Sequence, residues 1–66
     1  MLSELQKILI GGLRICGLKP DDIIATITLL NTEEEQWEMV DYLETVVHNP
    51  PDRTIVFEKV VEITAQ

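Results

Sequence analysis

Very few residues in this chain could do covalent chemistry. It holds one serine (Ser3), one cysteine (Cys16) and one histidine (His48), and they are far apart in sequence. A nucleophile needs a base within hydrogen-bond reach and a third group to orient that base. Ser3 is three residues before Gln6 and reads as a helix cap. Cys16 falls on the apolar face of the first helical segment, where a thiol acts as a small hydrophobe and its pKa rises. A Cys16–His48 dyad is a conceivable nucleophilic pair but not the expected one. One cysteine and one histidine fall short of a zinc set.

The carboxylates are plentiful but poorly spaced for ligation. The run Glu33-Glu34-Glu35 lacks the glycine-containing loop of a calcium site. In a first helical turn its side chains diverge by about 100° per residue and cannot converge on one ion. Paired carboxylates for acid–base work would need a cleft, which so small a bundle rarely has. The expectation is a non-enzymatic protein with no cofactor, no metal and no catalytic residue.

Charge is distributed one-sidedly. Residues 20–52 contain nine carboxylates (Asp21, Asp22, Glu33, Glu34, Glu35, Glu38, Asp41, Glu44 and Asp52) and no lysine or arginine. Residues 1–19 sum to +2 and residues 53–66 to zero, giving a net charge of −7. Such a surface repels phosphate backbones and anionic lipid, so neither nucleic acid nor a membrane surface is an expected partner. It can steer a basic protein partner, and it also serves solubility.

With 66 residues, of which 45% are hydrophobic, the chain is expected to form a single small helical domain over 1–66 rather than a disordered acidic tail. Its core is small, and homodimerisation would be one remedy. A lone cysteine fits a reducing compartment. The stretch Ile8 to Leu18 is broken by Arg14 and falls short of the ~20 residues of a membrane span. Glu4 and Lys7 interrupt a signal-peptide pattern. Cytoplasmic residence is expected.

Punctuation at Gly17-Leu18-Lys19-Pro20, Asn31-Thr32 and Asn49-Pro50-Pro51-Asp52 divides the chain into four segments. The predicted fold is all-α, a compact bundle of four short helices at about 3–16, 20–30, 33–48 and 53–64. In the first, Ser3 and Gln6 form a capping box, with Leu5, Ile8, Leu9, Gly12, Ile15 and Cys16 on one face. Gly17 followed by Leu18 reads as a left-handed cap. In the second, Pro20 suits the first helical position, and Ile23, Ile24, Ile27 and Leu30 form the stripe.

In the third, Thr32 and Glu35 make a second capping box. Met39, Val40, Leu43, Val46 and Val47 line its face, with Asn49 as a left-handed cap. The fourth places Val56, Phe57, Val60, Val61 and Ile63 together. Its β-branched content leaves a strand open, but one strand would have no partner.

Gly11-Gly12 admits two readings. Gly12 lies at the centre of the first stripe, where lacking a side chain lets another helix approach closely. Leu2-Ser3-Glu4-Leu5 with Gly11-Gly12 also resembles the double-glycine leaders of exported bacterial peptides, although Glu4 and Leu5 lie one position too far from the glycines. That resemblance would imply an exported peptide precursor cut after Gly12. Cys16-Gly17-Leu18 before a second helix, with Val40-Asp41-Tyr42-Leu43 on a third, looks like the ubiquitin-associated domain. The resemblance implies a small helical binding module, and the fourth helix departs from it.

Trp37 is the candidate binding residue. It falls about 120° from the centre of the third stripe, in a row with Glu33, Asp41, Glu44 and His48. It is either a core flank covered by another helix or an exposed anchor with an acidic rim. Ile10, Leu29 and Ile55 also fall off their stripes, so an interface is expected, a homodimer one included. The expected function is a protein–protein interaction module (regulator, adaptor or inhibitor) binding through Trp37, Glu33, Asp41 and Glu44. The alternative in another class is a DNA-mimic inhibitor, whose carboxylates would fill phosphate sites.

Overall fold

In the computed structural model, which describes residues 2–65, both capping boxes close. The Gln6 amide donates to Ser3 Oγ at 3.1 Å while the Ser3 amide donates to Gln6 Oε1 at 2.9 Å. The Glu35 amide and Thr32 Oγ1 meet at 3.2 Å, and so do the Thr32 amide and Glu35 Oε1. Each box satisfies two of the amides that a helix start leaves without partners. Four helices result: α1 (Glu4–Ile15), α2 (Pro20–Leu29), α3 (Glu33–Thr45) and α4 (Arg53–Thr64). The fold is all-α, a small bundle of four helices, with no strand among the described residues. Residues 53–64 are helix, started by Asp52, whose carboxylate accepts from the Ile55 amide at 3.1 Å.

The ends differ from expectation in instructive ways. Ser3 and Cys16 cap α1 rather than belong to it, and Leu30 caps α2. Past Cys16, Gly17 takes φ +84°. Its amide reaches the Arg14 carbonyl at 2.9 Å, and the Leu18 amide reaches the Leu13 carbonyl at 3.2 Å. That is the Schellman pattern, and Leu18 tucks behind it at 5% exposure. Helix α3 stops three residues short of His48. Val46 leaves the helix at φ −111°, ψ 8°. The Asn49 amide then bonds the Val46 carbonyl at 3.1 Å in a tight turn. Asn49 is not left-handed, since no described residue other than Gly17 has a positive φ. Pro50 disfavours helical backbone at Asn49, and the β-branched Val46-Val47 pair weakens the turn before it.

Around the bundle the order is α1, α2, α4, α3, each packed on its two neighbours. One core fills the centre, built from Leu9, Leu13, Leu18, Ile23, Leu30, Met39, Val40, Leu43, Val56, Val60 and Ile63. Because α1 has α3 on one side and α2 on the other, its buried arc centres on Leu9 and Leu13. Ile10, expected off the stripe, packs against the core. Ile8 and Ile15, expected within it, are exposed.

Similarly, α2 buries Ile23 and Thr26 and turns Ile24 outward. Thr26 is tolerated inside because its hydroxyl donates back to the Asp22 carbonyl at 2.9 Å. Val61 of α4 is likewise exposed. The Gln36 side chain donates to the Leu30 carbonyl at 2.8 Å, tying the end of α2 to α3.

Candidate functional site

Three independent places show how α1 and α3 lie against each other. Leu5 and Gln6 share a hollow with Glu33, Gln36 and Trp37. Gly12 lies against Leu43, and Ile15 faces the same groove as Val47. The two helices therefore run side by side in the same direction, starting together at their capping boxes. Gly12 makes this possible. A Cβ built there would stand 2.9 Å from Leu43 Cδ1 and 3.3 Å from Leu43 Cβ, closer than ordinary contact. Neighbouring Gly11 points into open space. The close-approach reading of the glycine pair thus holds for Gly12.

Outside that contact lies a groove of about 250 Å³ lined by Ile8, Gly12 and Ile15 of α1 and by Val40, Leu43, Glu44 and Val47. Ile8 is 51% exposed, Ile15 56% and Val47 41%. Their apolar surface faces solvent although each is aligned with the core by sequence.

Trp37 stands at the end of this face near the starts of α1 and α3, 49% exposed and beside Glu33. Half of it rests on the Leu5–Gln6 side, and half is open. The structure brings Trp37 and Glu33 together and puts Glu44 on the wall of the groove. Asp41 lies one row farther round α3, in a separate hollow with Glu38, Tyr42, Thr45 and Lys59. All four residues are exposed. Leu29 and Ile55, the other aliphatics off their stripes, are exposed as well.

Sequence reasoning placed Ile8, Ile15 and Val47 in the core and so missed that they stand exposed around the Gly12 groove. The close packing that Gly12 permits was visible. Its consequence, a pair of parallel helices with a trough between them, depends on the tertiary arrangement.

Cys16 is half-buried, and burial pushes its thiol pKa above the ordinary value. Its neighbourhood therefore lowers rather than raises nucleophilicity at neutral pH. His48 is exposed in the turn after α3. Among the described residues, no three His, Cys, Asp or Glu side chains come together as a metal-holding group. No helix is long and apolar enough to cross a membrane among those residues.

Two cation–carboxylate links join neighbours on the same helix: Lys7–Glu4 at 3.4 Å and Lys59–Glu62 at 3.3 Å. A third crosses the bundle. Arg53 Nε and Nη2 donate to the two Asp22 oxygens at 3.1 and 3.0 Å. The same guanidinium lies 5.2 Å from the Phe57 ring centre.

No protein-family model, curated protein or solved structure matches this chain.

Proposed function

We propose that the chain is a non-enzymatic protein–protein interaction module, a regulator, adaptor or inhibitor, whose partner surface is the face shared by α1 and α3. One observation carries this reading. Ile8, Ile15 and Val47 stand open to solvent around the Gly12 groove, and half-exposed Trp37 lies in a second hollow between the same two helices, toward their starts. Clustered apolar side chains rimmed by charge are what interaction surfaces expose, whereas scattered single ones need no explanation. Tryptophan is the residue type most enriched among binding hot spots. Glu33, Asp41 and Glu44 supply an acidic border that would orient a basic partner and speed its encounter. The lone Cys16 suits a reducing, cytoplasmic setting.

The test is a pull-down from source lysate with the wild-type chain, Trp37→Ala and Ile15→Glu. Both substitutions fall at exposed positions, so the far-UV spectrum and melting curve should remain close to wild type. A partner retained by the wild type and lost by both variants supports the proposal. Retention unchanged in both contradicts it.

A further inference from the structure

The α1–α3 face has the shape of a trough. Ile8 and Ile15 rise along one side and Val47 along the other, with Gly12 and the core residues Val40 and Leu43 forming the floor between them. Since the two helices are parallel, both sides run the same way for about 10 Å. A rod that laid apolar side chains at i, i+3 or i+4 and i+7 into this trough would meet Gly12 at the floor, where the wall is lowest. An extended strand would find no main-chain edge to pair with, because helices spend their backbone groups internally.

Charge narrows the occupant further. Glu44 lines the groove and Glu33 lies beside Trp37 toward the helix starts, while Asp41, one row beyond, shares its hollow with Glu38 and Lys59. No lysine or arginine lines the groove among the described residues. Lys7 is engaged by Glu4 at 3.4 Å, and Arg14 lies toward α2 with Ile10, Leu18 and Ile23. The trough is therefore apolar at its floor and negative at its border. Trp37 adds an open aromatic face beside Glu33, a place where a guanidinium or ammonium is held by both the ring and the carboxylate.

We infer that this trough takes an amphipathic α-helix of another protein, with lysine or arginine flanking its apolar stripe. The inference rests on the interaction reading above and names the partner's chemistry. A second copy of this chain fits less well. It would bring twelve carboxylates against five cations to a border that is already acidic.

Three tryptophan-free synthetic peptides of about 16 residues, roughly 24 Å as helices, provide the test. One carries a leucine stripe flanked by lysines, one the same stripe flanked by glutamates, and one the lysine composition scrambled to remove the stripe. Each is titrated into the full chain, with Trp37 fluorescence and backbone amide NMR shifts as readouts. The lysine-flanked peptide should bind at least about tenfold more tightly than the other two, and less tightly as salt is added. Its shifts should map to residues 8–15 and 37–47. The double variant Asp41→Lys, Glu44→Lys, checked for fold by circular dichroism, should shrink or invert that preference.

Equal binding of the lysine- and glutamate-flanked peptides overturns the basic partner while leaving the interaction reading intact. Binding of neither striped peptide overturns the helical occupant. So does a concentration-dependent dimer that shields Ile8 and Ile15, which would make a second copy the occupant. The broader reading fails separately, when the lysate partner is retained unchanged by Trp37→Ala and Ile15→Glu.

Discussion

Two adjacent glycines show how much one atom decides in a bundle this small. Alanine at either position removes backbone freedom from the unfolded chain and raises helix propensity by up to ~1 kcal/mol. At Gly11 nothing opposes that gain, so Gly11→Ala should raise the melting temperature. At Gly12 the new methyl meets Leu43 at 2.9 Å, and α1 must move away from α3 or Leu43 must leave its rotamer. Gly12→Ala should cost about 1–3 kcal/mol net, as overpacking does. Thermal melts of the two variants should therefore shift in opposite directions. Equal shifts would mean that the helices are not in close contact.

Cys16 gives a pH signature. Its pKa is raised by burial, so the folded chain ionises later than the unfolded one. Below the thiol's ordinary pKa both states are neutral, and stability does not depend on it. As pH climbs past that value, the unfolded state loses its proton first, and stability falls until the folded pKa is passed. Cys16→Ala should flatten this alkaline decline in a series of melts, and alkylation of Cys16 should speed up on unfolding.

At the scale of elements, what the sequence made legible was local. Capping boxes, the Gly17 stop and Pro20 act over three or four residues, so Ser3, Thr32 and Gly17 could be assigned their roles without tertiary information. Where a helix end depended on weaker signals, as at Val46 to Asn49, the boundary moved. The burial of each face was less legible. A helical wheel assigns one centre to the apolar stripe, whereas α1 is pinched between two neighbours. Ile10 was thus drawn inward, and Ile8 and Ile15 were left outside. The candidate site was partly visible, because Trp37 and Glu33 stand out on the wheel of α3. Its α1 wall was not.

Pairs distant in sequence were also invisible. Arg53 and Asp22 are 31 residues apart and join the starts of α4 and α2. With 60% of the Arg53 side chain exposed, solvent screens the pair. A double-mutant cycle of Asp22→Ala and Arg53→Ala should give a coupling of about 0.5–1 kcal/mol in favour of the wild type, its bidentate geometry placing it at the upper end for exposed pairs. Zero coupling would show that the contact adds nothing to stability.

At the scale of the whole molecule, the net charge sets self-repulsion against these few links. Twelve carboxylates face five cations on a surface only 4498 Å² in area. Screening acts within about 10 Å at 0.1 M salt and relieves repulsion among exposed charges. The melting temperature should rise from low to moderate ionic strength. A fall would mean that the ion pairs matter more than the net charge. In the binding role proposed above, the same acidity would give the α1–α3 face its selectivity, since an apolar trough alone would attract any hydrophobic segment.

In the proposed role, this face is open in the free chain and closed in the complex. Trp37, the single tryptophan, reports on it directly. Acrylamide quenching should be measured on the isolated monomer and on the complex recovered from lysate. Ready quenching and emission toward that of indole in water are expected for the monomer, then a blue shift and protection in the complex. A Trp37 already shielded in the monomer, or quenched equally in both states, would contradict it.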